Sequence, residues 1–169
     1  MDQTVEQGAG SRVTGPPQFE SFDHVSMPCR DLEEGIRFYR DVLGGEMIVK
    51  EGAFAYFKIA DKKIGIGSAG CTFIGPGNEY PHIAFKIGPA ELVDLKNWLT
   101  ACGVPTSNYW TRKGVETLMF FRDPSGNMIE LFCEEGYEGS EDMPKGPARG
   151  HGTAIDTDAL RYDDWSVPE

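Results

Sequence analysis

Two histidines and one glutamate stand where their types and spacing suit a divalent metal ion. His24 and His82 lie 58 positions apart, each near the start of a segment that alternates apolar and polar residues. That period of two is the pattern of a half-buried strand. Glu130 lies in a third such segment, Asn127-Met128-Ile129-Glu130-Leu131-Phe132, and shares its face with Met128 and Phe132. A carboxylate among apolar neighbours is costly unless it is paired or coordinates a metal. Two imidazoles and a carboxylate suit Fe(II), Mn, Zn, Co or Ni, and three protein ligands leave coordination positions for substrate and water. Strands fix such ligands more rigidly than loops do.

The elements that must position these residues repeat. After the strand Phe22 to Met27, Asp31 with Glu34 forms a capping box, and Leu32, Ile36, Tyr39 and Leu43 make one helical stripe that Gly44 and Gly45 stop. Strands are predicted over 46–50, 54–59 and 63–67. After a Gly-Pro-Gly loop the order recurs. A strand starts at His82, and Pro89 opens a helix with the stripe Leu92, Leu95, Leu99 and Cys102, which Gly103 and Pro105 end. Strands follow around 106–111, 116–121 and 128–133, with a type I turn at Asp123-Pro124-Ser125-Gly126. The fold class expected is α+β, two tandem βαβββ modules at 20–69 and 82–134 joined by a linker at 70–81. Residues 1–19 form a polar N-terminal segment. The Gly-, Pro- and Asp-rich 135–169 is either a loose tail or a strap that packs through Ile155, Leu160, Tyr162 and Trp165.

Composition excludes several roles. With 40% hydrophobic residues the chain has material for a core, and its formal net charge of -11 repels phosphate backbones and anionic membranes. A local Lys or Arg still permits an anionic substrate. No apolar run reaches the roughly 18 residues of a membrane span, and the N-terminus has no secretory apolar region. Cys29, Cys71, Cys102 and Cys133 are widely spread, which reads as reduced thiols and a cytoplasmic location.

Three motifs resemble the vicinal oxygen chelate superfamily, which includes glyoxalase I, fosfomycin-resistance enzymes and type I extradiol dioxygenases. They are Phe-Asp-His-Val at 22–25, Pro-His-Ile-Ala-Phe at 81–85, and Phe-Arg-Asp-Pro-Ser-Gly-Asn-Met-Ile-Glu-Leu-Phe at 121–132. The resemblance spans about residues 20 to 134. It implies paired βαβββ modules whose sheets curl around a metal cleft, often completed by dimerisation. It puts His24, His82 and Glu130 on ligand positions, and it implies a small-molecule substrate and a homodimer.

Departures from the family's patterns bear on the reaction. Counting along the repeat puts Gly67 and Ser68 where glyoxalase I enzymes have a fourth ligand, so the set resembles an open triad. Where extradiol dioxygenases carry a tyrosine this chain has Phe120, and their histidine falls near Lys113. Lys113 is then a candidate to stabilise an anionic intermediate or bind a carboxylate, Tyr109 or Tyr56 to supply a phenolic proton, and His151 to act as acid or base if the tail covers the cleft, with Tyr162 and Trp165 excluding water. The first expectation is an Fe(II) extradiol-type dioxygenase. The alternative is a non-redox lyase, isomerase, hydrolase or transferase using Mn, Zn or Ni as Lewis acid. A metal-free small-molecule binding protein ranks last.

Overall fold

The computed structural model describes residues 21–68, 81–146 and 155–169. Its strands form two sheets, and with the helices they give the α+β class the repeat predicts. The first sheet holds β1 (His24–Pro28), β2 (Glu46–Glu51), β3 (Phe54–Ile59) and β4 (Lys62–Gly67), in the order β1-β4-β3-β2. Helix α1 (Leu32–Arg37) carries the chain back after β1, so β1 pairs parallel with β4 while the remaining pairs are antiparallel. The second sheet holds β5 (His82–Lys86), β6 (Thr117–Arg122) and β7 (Met128–Cys133), in the order β5-β7-β6. Helix α2 (Pro89–Ala101) follows β5, and β5 pairs parallel with β7.

The strand predicted over 106–111 is not continuous. It is reduced to isolated bridges, Thr106 to Phe121, Trp110 to Leu118 and Thr111 to Lys145. Ser107 explains the break. Its hydroxyl accepts the Phe120 amide N–H at 2.9 Å, and its carbonyl accepts from Lys96 Nζ at 3.0 Å. Side-chain partners take the place of a regular ladder there.

The first helix also differs from its prediction. Asp31 caps it as expected, its carboxylate accepting the Glu34 N–H at 2.8 Å. From Phe38 to Val42, however, the helix widens to a π turn, and the Leu43 N–H reaches the Phe38 carbonyl at 3.2 Å. The widening lets the adjacent Phe38 and Tyr39 both bury fully, where the stripe pointed to Tyr39 alone.

One core serves both modules, and strand parity decides what is left outside it. Ala55, Phe57, Ile64 and Ile66 of the first sheet join Met119, Phe121, Ile129 and Leu131 of the second, with Ile36, Phe38, Leu92 and Leu99 of the helices. Side chains alternate across a strand, so the opposite faces carry His24, Ser26, Tyr56 and Gly65 in one sheet and His82, Phe120, Arg122 and Glu130 in the other. Both chemically interesting faces therefore turn away from the shared core.

Polar contacts lock the modules together. The Tyr39 hydroxyl donates to buried Asp123 at 3.1 Å, Asn127 Nδ2 donates to the Pro28 carbonyl at 2.7 Å, and Trp98 Nε1 donates to the Val42 carbonyl at 3.1 Å. Residues 155–166 run as a strap across both modules. Leu160 is buried with Trp110, Leu118, Phe120 and Met128, Tyr162 donates to the Arg122 carbonyl at 2.9 Å, and Trp165 Nε1 donates to Glu34 at 3.2 Å. No helix among the described residues is long and apolar enough to cross a membrane. Cys29, Cys102 and Cys133 are buried, and Cys71 lies outside the described residues.

Candidate metal centre

His82 opens β5 and Glu130 lies mid-way along β7, where it pairs with Ala84 on one side and Phe120 on the other. One same-face step along the sheet separates the two side chains, and His82 Nε2 stands 3.6 Å from Glu130 Oε2. Glu130 is only 2% exposed. A buried carboxylate of this kind needs cationic partners. Arg112 supplies one, its Nη2 donating to the same Oε2 at 3.2 Å. The Arg112 guanidinium also lies over the Trp110 ring, 5.1 Å from its centroid. Phe120 completes the wall, its ring 5.5 Å from both His82 and Trp110.

His24 stands elsewhere. It is exposed on β1, at the edge of the first sheet, with Nδ1 2.9 Å from Asp23 and its ring edge-on to Tyr56. Asp23 is bridged in turn to Lys63 at 2.8 Å, and Lys63 followed by His24 holds its carboxyl below the usual range. Among the described residues no three His, Cys, Asp or Glu side chains converge on one point. The structure thus brings together two of the three predicted ligands and leaves the third on the other sheet's open face.

The register locates the fourth-ligand position better than counting does. His82 pairs with Met128 and Ala84 with Glu130; in the first sheet His24 pairs with Lys63 and Ser26 with Gly65. Gly65, not Gly67, is the counterpart of Glu130. A Cβ at Gly65 would sit 2.5 Å from the Tyr56 ring and 2.6 Å from Ser26 Oγ. The Tyr56 ring covers the place where a fourth ligand would project, so the first sheet contributes none there. Tyr56 is the counterpart of Phe120, and its hydroxyl lies 3.4 Å from Ser26 Oγ.

The other candidates are placed as follows. Lys113 is exposed, its backbone N–H donating to Glu116 at 3.0 Å, and it is its neighbour Arg112 that reaches Glu130. Tyr109 contacts Tyr137 and Lys96, and burial followed by Tyr137 pushes its phenol up to about 12. Trp165 packs on Phe38 of the core and does not close the site, while Tyr162 is tied to the Arg122 carbonyl; Leu160 and Ile155 are the strap residues that reach the Trp110–Phe120 face. His151 lies outside the described residues. Sequence reasoning misses Arg112 because an Arg-Lys pair in a loop carries no periodic signal. Arg112 stands between Thr111 and Lys113, and nothing in that order tells which of the two adjacent cations turns inward.

The donors fit a divalent ion: a buried carboxylate and an imidazole nitrogen face one another, and a metal would share the carboxylate oxygen that Arg112 now contacts. Comparison with known proteins bears on what such a site does. The chain is 30% identical over 120 residues to the metallothiol transferase FosB of Staphylococcus epidermidis, covering 68% of this chain and 82% of that protein. Its fold matches the lactoylglutathione lyase of Agrobacterium tumefaciens (TM-score 0.57, 25% identity, 70% of this chain and 95% of that one). It also matches a mutant of the fosfomycin resistance protein FosX of Listeria monocytogenes, solved with Mn(II) and 1S,2S-dihydroxypropylphosphonic acid (TM-score 0.61, 23% identity, 69% of this chain and 93% of that one). None of these three is a dioxygenase, so the ring-cleaving, iron-dependent expectation finds no support and the non-redox alternative gains it. The sequence profile of the glyoxalase/bleomycin resistance protein/dioxygenase superfamily matches residues 21–131, which hold the first sheet, all but the end of the second and all three predicted ligands, and the chain belongs to that superfamily.

Proposed function

We propose that this chain is a metal-dependent, non-redox enzyme of transferase or lyase type. Its substrate is a small anion that chelates the ion through adjacent oxygens. The observation that carries this reading is the buried Glu130 carboxylate facing His82 on the side of the second sheet turned away from the shared core. The relatives support the class, being a metallothiol transferase and a lactoylglutathione lyase by name. His82 and Glu130 would hold the ion with His24 of a second copy, since His24 lies on an open face that its own chain turns away from the pair. Exposed apolar side chains that such a partner would cover are Phe22, just before β1, and Met47, Ile48 and Val49 of β2. The assembly is therefore a homodimer with two shared sites.

A bound divalent ion supplies Lewis acidity toward the chelated oxygens. Everything else falls to the chain's own residues. Arg112 is placed to receive the substrate's anionic group, because its planar fork matches a carboxylate or phosphonate and its seat over Trp110 orients it in advance. This is the role the sequence suggested for Lys113. Trp110 and Phe120 present an apolar wall that limits water at the reacting atoms. Tyr56, beside His24, brings the phenol that Phe120 lacks, and the Ser26 hydroxyl is positioned to share its proton.

Elemental analysis of protein purified without oxygen tests the reading. We expect about one divalent ion per chain, reloading by Mn, Zn or Ni without oxygen uptake, and loss of the ion in Glu130→Gln. Equal ion content in wild type and E130Q would overturn it.

A further inference from the structure

Arg122 is a buried cation that the metal centre does not use. It ends β6, one same-face step beyond Phe120, and is only 4% exposed. Its Nε donates to the Thr157 carbonyl at 3.1 Å and its Nη1 to the Gly126 carbonyl at 2.6 Å. Its Nη2 is buried and has no hydrogen-bond partner among the described residues. A guanidinium donor left in that state is costly, and a second cation makes it worse. Arg161 is that second cation: after burial itself, its charge is the next cause that pulls the Arg122 guanidinium below its ordinary value. Arg161 Nη1 lies close to Gly126, the residue whose carbonyl Arg122 holds.

These two arginines and Arg30 line a cavity of about 80 Å³, bounded also by Asp123, Pro124, Gly126, Tyr162 and Asp163. That is well over the ~30 Å³ a single water occupies in the liquid. The nearby carboxylates do not complete the Arg122 guanidinium. Asp123 accepts from Tyr39, the Asn127 amide N–H and Asn127 Nδ2, and Asp158 accepts from Arg161 Nε at 3.4 Å. Asp163 stands exposed at the rim.

We infer that this cavity is a binding site for a small oxyanion of the phosphate type, held by Arg161 and Arg30 at the rim, with the buried charge of Arg122 behind them. Oxygens of a tetrahedral anion can accept from the two rim guanidinium groups, and its charge relieves the repulsion among the three arginines. Arg161 and Thr157 belong to the strap, Arg122 to the second sheet, and Arg30 to the loop after β1. An anion there ties all three segments together and fixes the strap over the Trp110–Phe120 face.

Calorimetric titration of the full chain with inorganic phosphate, in chelator and at constant ionic strength set with NaCl, tests the site. Saturable binding and a raised unfolding midpoint are expected for wild type. Arg161→Gln and Arg30→Gln, both at the rim and checked for native circular dichroism, should each weaken binding by about tenfold, the loss of one charge-assisted contact. Arg112→Gln should bind phosphate as wild type does. Competition by glycerol phosphate assigns the site to the phosphoryl end of a metabolite, and its failure to compete assigns it to the free ion. No saturable binding, binding unaltered in both R161Q and R30Q, or binding lost in R112Q would overturn the inference.

Discussion

Asp123 gives a prediction that can be worked through from the structure. Its carboxyl is buried where the two modules meet, and burial pushes it up to about 6 from 3.8, even though Asn127 and Tyr39 donate to it. The folded protein therefore holds this proton more tightly than the unfolded chain does. The stability this provides is fully present below the unfolded value and is lost as pH rises through the folded one. A shift of about two units corresponds to about 3 kcal/mol, spread between roughly pH 4 and pH 6.5. Asp123→Asn removes the titration but keeps the shape, so its stability carries no such slope. It exchanges the cost of a buried charge for one mismatched donor facing the Asn127 N–H, worth about 1–3 kcal/mol. The assay is urea unfolding of both proteins at several pH values across that window. Subtracting D123N from wild type cancels the other carboxylates, and the difference should fall by about 3 kcal/mol from acid to neutral. A difference that stays flat with pH would refute the reasoning.

Other perturbations have equally definite outcomes. Leu160→Ala empties a buried strap position against Trp110 and Phe120 and should lower stability by about 2–4 kcal/mol in urea. Gly65→Ala forces a methyl into the Tyr56 ring and the Ser26 hydroxyl, and should cost about 1–3 kcal/mol by the same measurement. Arg112→Gln removes the cation that competes with a metal for Glu130 Oε2; because Arg112 is substantially exposed, we expect only about 1 kcal/mol, or roughly fivefold tighter Mn binding, read by calorimetry.

Much of the fold is legible in the sequence because its signals are local. Asp31 and Glu34 mark a helix start, alternation marks β1 and β5, and the repeat foretells two sheets of one design. The misses arise where a side chain overrides the backbone pattern. Ser107 interrupts a strand by supplying its own hydroxyl, and the π turn at Phe38–Val42 serves the burial of two adjacent aromatics, which no 3.6-residue period anticipates. At the site, residue types identify His82 and Glu130 because a glutamate between apolar neighbours is a conspicuous anomaly. They say nothing of how the two sheets are placed, and it is the shared core between them that leaves His24 apart from His82 and Glu130 within a chain. Arg112 is hidden for the same reason: only tertiary structure distinguishes it from Lys113.

A metal site shared between copies is tested most directly by mixing two damaged proteins. On the proposed shared site, neither His24→Ala nor Glu130→Ala would form a complete site in a homodimer of its own. In a mixed dimer, His82 and Glu130 of the first variant meet the intact His24 of the second. Random exchange of equal amounts should then restore about one quarter of wild-type Mn capacity, since half the dimers are mixed and each carries one whole site. Recovery near that level is the expected result. Dimers that mix without regaining any tight Mn binding would contradict the account.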